Sequence, residues 1–179
     1  MKRVCRPRLS DVVMTIIDYS GPCPKVIIID SQSHSPQEWT SSPSDNKILT
    51  VVAVFLNNGK LLMEQRGQDR RVYTGYLMCP SGHVEVGETI GQTLRREMME
   101  ELGIIVTRST FLFDIDDTDP SSRQEFRHNF MLVKSYEGII TKTKESEELR
   151  WLTYEEVNTR HVIPIVERLV DRLHQAGLF

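Results

Sequence analysis

Glu97, Glu100 and Glu101 stand within five residues of one another in the run Arg95-Arg96-Glu97-Met98-Met99-Glu100-Glu101-Leu102-Gly103. On a helix, residues three and four apart are neighbours, so these carboxylates project from one side, with Arg96 just before them. Three anions this close repel and raise one another's pKa, and the helix C-terminus disfavours negative charge. A bound divalent cation reverses that cost. Magnesium suits the position: it takes oxygen ligands, keeps several waters and bridges protein carboxylates to phosphates. Manganese is the alternative ion. An isolated Glu-Glu pair on a helix is ordinarily solvated surface, so context must decide between the two readings.

The element that positions the carboxylates has well-marked ends. Thr89 and Gln92 form a capping box, and Gly103 supplies a left-handed C-cap, predicting a helix over residues 90–102. Within it Ile90, Leu94, Met98 and Leu102 recur every fourth residue as an apolar stripe for a sheet to receive. A short strand over residues 76–79 stops at Pro80, and Ser81-Gly82 opens a loop into the helix. Gly82 reads as a glycine held at a backbone angle that other residues avoid.

The remaining elements follow from the same signals. Residues 48–56 and 60–65 flank Asn57-Asn58-Gly59, predicting a hairpin whose arms form a central antiparallel pair. Further strands are expected near residues 110–115 and 126–133, separated by the polar stretch 116–124, and near residues 149–152. A second capping box, Thr153 to Glu156, opens a short helix. A last helix starts at Pro164 with Ile165, Val166, Leu169, Val170 and Leu173 on its inner face. Upstream, β-branched runs at residues 12–18 and 25–30 predict two short strands, followed by a Ser-rich, proline-containing segment over residues 31–46 in which Trp39 is a candidate anchor. The division is therefore an N-terminal extension, residues 1–46, and a main domain, residues 47–179.

The whole run from Gly82 to Ile104, GHVEVGETIGQTLRREMMEELGI, resembles the Nudix box. That motif is a glycine, five residues, a glutamate, seven residues, then Arg-Glu-apolar-any-Glu-Glu-any-Gly-apolar, and every specified position is met. The resemblance implies the α/β class: a Nudix-type α/β/α sandwich with a mixed β-sheet, here carrying a short N-terminal β extension. It implies magnesium-dependent hydrolysis of a diphosphate linkage in a nucleoside diphosphate derivative. Carried over residue by residue, Glu97, Glu100 and Glu101 bind the cations, with the Ser81 carbonyl completing the shell. Arg96 orients Glu97, Glu88 supports the loop, and Gly82 and Gly103 shape the motif. The base that deprotonates water is Glu97, or Glu145 or Glu147 from a later loop. Arg66, with Arg70 and Arg71 as alternatives, and Glu145 are the candidates for holding substrate.

Two substrate readings stay open. The compact core and short C-terminal half look like members that hydrolyse nucleoside triphosphates, including oxidised ones, and this reading is preferred. Pro120, sixteen residues beyond Ile104, and the N-terminal strands look like the branch acting on ADP-ribose or nucleotide sugars. Asp119-Pro120-Ser121-Ser122 is also an ordinary turn composition. A nucleotide-sensing domain without catalysis is the reading from another class, and the three intact glutamates argue against it.

Composition limits the partners. With 22 Lys and Arg against 25 Asp and Glu, the net charge of -3 gives no basis for wrapping a nucleic-acid polymer or coating an anionic membrane. Cys5, Cys23 and Cys79 lack metal-ligand spacing and fit free thiols in a reducing compartment, so cytoplasm is expected. The N-terminal strands allow a homodimer. Tyr73, Tyr76 and Phe130 are candidates to stack on a base, against the commoner core role of strand aromatics. His83 reads as loop structure or a substrate contact, and His128 and His161 are left without a role.

Overall fold

The structure is a computed structural model, and it describes residues 14–18, 25–29, 47–67, 72–141 and 148–179. Cys5, Cys23, the Ser-rich segment with Trp39, Arg70, Arg71, Glu145 and Glu147 lie outside the described residues. The chain divides into two compact units, Met1–Ser35 and Pro36–Phe179. In the first, β1 (Met14–Asp18) and β2 (Lys25–Ile29) pair antiparallel, Met14 opposite Ile29.

The second unit holds two four-stranded sheets. One has the order β7 (Ser81–His83), β3 (Ile48–Val54), β9 (Glu125–Glu137), β8 (Ile105–Thr118). It is mixed, because β3 runs parallel to β9 and antiparallel to β7. The other has the order β10 (Glu148–Leu152), β5 (Lys60–Gln65), β4 (Leu56–Asn57), with β6 (Leu77–Met78) also on β5.

The Asn-Gly turn is present, with Asn58 and Gly59 at φ 51° and 70°, but the expected central hairpin is not what it joins. Phe55 breaks the first arm: residues before it enter the mixed sheet, and Leu56 and Asn57 pair with Leu61 and Lys60 in the other. Burial explains the break. Phe55 is 2% exposed and its neighbours Val54 and Ala53 are fully buried, so the chain crosses between sheets through the core. Leu62 N–H donates to the Phe55 carbonyl at 3.1 Å, which holds the crossing.

Two further expectations are corrected. The strands β8 and β9 are much longer than their apolar centres, because cross-strand polar pairs extend the ladder to Thr118↔Glu125 and Ile105↔Glu137. Residues 81–83 form a strand on β3, since Val51 and Val52 offer a free edge to Gly82 and Ser81.

Helix α1 (Ile90–Leu102) forms as its caps require. Ile90, Leu94, Met98 and Leu102 are buried against Val51, Ala53, Met131 and Val133 on one face of the mixed sheet. Burying four such side chains removes several kcal/mol of apolar surface cost, roughly 1.5–3 kcal/mol each. Alternation along β9 turns Phe130 to the opposite face, where its ring meets Phe113 at 4.9 Å. There the guanidinium of Arg172 in α3 (Pro164–Gln175) lies 4.3 Å from the Phe113 ring centre, so α3 covers the second face. The short α2 (Tyr154–Asn158) carries the second capping box. The result is the expected α/β sandwich. No helix among the described residues is long and apolar enough to cross a membrane.

Candidate metal centre and active site

Arg96 is the hub of the acidic face. Its Nε and Nη2 reach the two carboxylate oxygens of Glu88 at 2.8 and 2.9 Å, a bidentate pair. Its Nη1 donates to Glu97 Oε1 at 2.8 Å and to Glu100 Oε2 at 3.3 Å, and Nη2 also donates to the His83 carbonyl at 3.0 Å. One guanidinium thus ties the end of β7, the loop before α1 and two of the three helix glutamates. Glu88 accepts further bonds from the Thr93 hydroxyl at 2.8 Å and the Glu85 N–H at 3.1 Å. The Arg96 guanidinium first, with help from Thr93, holds the Glu88 carboxyl down at about 2.

Gly82 meets Glu97 from the sheet side. Its φ lies outside the left-handed region, so the expected reason for this glycine is replaced by another. A Cβ there would collide with Cδ, Oε1 and Cγ of Glu97. The residue must be small because the carboxylate is pressed against its backbone. Gly103 does need its angle: at φ 69° it caps α1, its N–H reaching the Met98 and Met99 carbonyls.

The electrostatics favour a cation. The last turn of α1 carries no basic residue to offset the carbonyl end of the helix. Burial pushes the Glu97 carboxyl up, against the pull of Arg96, and the neighbouring Glu100 adds to the rise. Glu101 Oε2 is shut off from solvent, whereas Glu100 is exposed. Among the described residues no three His, Cys, Asp or Glu side chains converge into a closed metal cage. Magnesium does not require one: it retains waters and completes its octahedron with substrate oxygens. Hard carboxylate oxygens on one helical side, with Glu97 against the Gly82 backbone, fit such an ion.

The other candidates are placed less directly. The Arg66 guanidinium donates to the Val72 carbonyl at 3.3 Å and to Met78 Sδ at 3.1 Å, which turns it toward the β5–β6 connection. Tyr73 and Tyr76 lie there too, ring centres 5.4 Å apart, with Tyr76 5.3 Å from His161 and tilted 32° to it. Phe130 is fully buried and serves the core, so it is not available to a base. Cys79 is buried, and that burial pushes its thiol far up, as an inert core thiol requires.

Two features escaped sequence reasoning, and a third was read from turn composition. Thr93, buried in α1, orients Glu88, and its only signal was a hydroxyl facing back toward the capping turn. His128 has a partner after all: its Nδ1 lies 2.7 Å from Thr50 Oγ1, 78 residues away in sequence. Pro120 occupies a turn in which Asp119 Oδ1 accepts from the Ser121 and Ser122 N–H groups at 2.8 and 2.7 Å.

A sequence model of the NUDIX domain matches residues 47–173. Nucleoside triphosphatase NudI of Enterobacter sp. (strain 638) is 31% identical over 118 residues, covering 61% of this chain and 84% of that protein. An 8-oxo-dGTP diphosphatase of Haemophilus influenzae is 30% identical over 133 residues, covering 72% and 93%. Among solved structures, that of the E. coli ORF135 protein superposes with a TM-score of 0.64 at 25% identity, covering 76% of this chain and 94% of that one.

Proposed function

Since the chain belongs to the Nudix family and is a hydrolase acting on pyrophosphate bonds, we propose that it cleaves a nucleoside triphosphate, ordinary or oxidised, with magnesium held by Glu97, Glu100, Glu101 and the Ser81 carbonyl. The observation that carries this is the hub on Arg96, which fixes Glu97 against Gly82 and holds Glu100 from the same guanidinium. Residues 47–179 form the catalytic domain in this reading, and Arg66 and Glu145 hold substrate.

Magnesium, when bound, neutralises diphosphate charge and supplies a water of lowered pKa. The chain's own residues do the rest. Arg96 locks the Glu97 rotamer, so that the carboxylate bordering Gly82 accepts a proton from the attacking water. The water oxygen bonds to phosphorus, the bridging P–O bond breaks, and the departing phosphate oxygen keeps the electron pair. A nucleoside monophosphate and pyrophosphate, or a phosphorylated fragment, leave. Like the relatives described above, this chain would act on free nucleotides. The turn role of Pro120 favours the triphosphate reading over ADP-ribose, because the residue is accounted for by hairpin geometry.

The test is turnover with magnesium across nucleoside triphosphates, oxidised nucleotides, ADP-ribose and nucleotide sugars, with products separated by chromatography. Glu101→Gln should lose activity by orders of magnitude while keeping its circular dichroism and melting temperature. A Gln variant that remains active and metal-dependent would refute the assignment.

A further inference from the structure

The mixed-sheet face turned away from α1 carries a row of rings that the hydrolysis reading leaves unused. Register places Thr50 opposite His83 on one side and His128 on the other, with Phe126 opposite Ile48. Residues paired in this way share a face. The Phe126 and His128 rings stack at 5.7 Å with planes 9° apart, and His83 meets Phe126 edge-on at 6.3 Å. Thr50 Oγ1, 2.7 Å from His128 Nδ1, fixes the innermost ring. Burial lowers the His128 pKa, which favours a neutral imidazole.

Position beside the glycine-glutamate contact, rather than exposure, distinguishes this row from the Tyr73, Tyr76 and His161 rings at the β5–β6 connection and from the molecule's other ring groups. Phe113 and Phe130 pack on each other beneath α3. Tyr154 and His174 face each other at 3.7 Å, and His174 Nδ1 lies 2.9 Å from the Phe179 carbonyl, so that pair closes the C-terminal turn. In the row, His83 is exposed and Phe126 half-buried, leaving ring surface for a planar ligand.

Position says which ligand. His83 directly follows Gly82, against which Glu97 rests, and its carbonyl is bonded by Arg96. Strands lie roughly 4.8 Å apart, so the rings of β9 stand about 10 Å, two strand spacings, from the backbone bordering the carboxylates. A ligand with phosphates at Glu97 and an aromatic group at Phe126 must pass round the edge strand β7 from the α1 side to the opposite face, so it is extended and planar at its far end, as a nucleotide is. We propose that His83 and Phe126, backed by His128, form the platform on which the substrate's nucleobase stacks. This rests on the nucleotide-hydrolase reading and names the part of the site that grips the base.

The test compares binding of a nucleoside 5′-monophosphate and of ribose 5-phosphate, by NMR titration of the full chain, with nucleoside triphosphate kinetics alongside. Losing a stacked base costs about ten-fold in affinity. Phe126→Ala should therefore weaken the monophosphate and raise the triphosphate KM about ten-fold, leave ribose 5-phosphate unchanged, and be rescued by Phe126→Tyr. His83→Ala, at an exposed position, should act in the same direction if Phe126→Ala folds poorly. Equal losses for both ligands, or unchanged monophosphate affinity in Phe126→Ala and His83→Ala, overturn the platform even where turnover persists. A wild-type chain that binds the monophosphate through Phe126 but hydrolyses no nucleotide keeps the platform and overturns the hydrolase reading instead.

Discussion

Replacing Glu88 by glutamine should expose how much the Arg96 hub contributes to stability. In the folded chain the Glu88 carboxyl falls from its ordinary 4.5 to about 2, chiefly through its bonds to Arg96. A shift of that size sets a ceiling of ~3 kcal/mol. The two side chains are 25% and 20% exposed, so solvent screens part of the attraction and about 1–2 kcal/mol survives. Because the folded pKa is depressed, this stability is fully present above pH 4.5 and is lost as the pH falls toward 2. Glutamine keeps the volume and an acceptor oxygen but not the charge. Urea unfolding of wild type and Glu88→Gln should differ by ~1–2 kcal/mol at pH 7, by less near pH 3, and hardly at all near pH 2. A difference that stays constant over this range would show that the charge on Glu88 is not what matters.

Three further substitutions probe the glycines around the same carboxylates. Gly82→Ala should destabilise by about 1–3 kcal/mol through overpacking, and displacing Glu97 should raise the magnesium concentration needed for half-maximal turnover; an unchanged melting curve and metal dependence would mean that Glu97 moves aside freely. Gly103→Ala should cost about 1–2 kcal/mol in chemical denaturation, because alanine is strained in the left-handed cap, and Gly103→Asn should cost less.

What sequence makes legible here is what neighbours in sequence decide. The bounds of α1 follow from Thr89, Gln92 and Gly103, and the placing of Glu97, Glu100 and Glu101 on one side follows from helical spacing alone. The Asn58-Gly59 turn is equally local. Strand partnership is not. Nothing near Phe55 marks it as the point where the chain leaves one sheet for another, because that follows from how much core the two sheets must share. The role of Gly82 was assigned to its own backbone, although the cause sits on Glu97, fifteen residues later. Thr50, His83, Phe126 and His128 come from three strands and become neighbours only through register.

The parallel pairing of β3 with β9 also bears on how the chain acquires its structure. Ile48–Val54 finds β7 some thirty residues away, but its other edge waits for Phe126 and the residues after it, 78 positions further on. Contacts of such long sequence separation are entropically late and slow. A ribosome-bound chain that has already emitted Gly82, α1 and all three glutamates still lacks the strand that fixes one side of β3. Its hydrogen-bonding edge stays open until β9 emerges, and a release of the chain before that point would leave the carboxylates on a helix with half a sheet to rest upon.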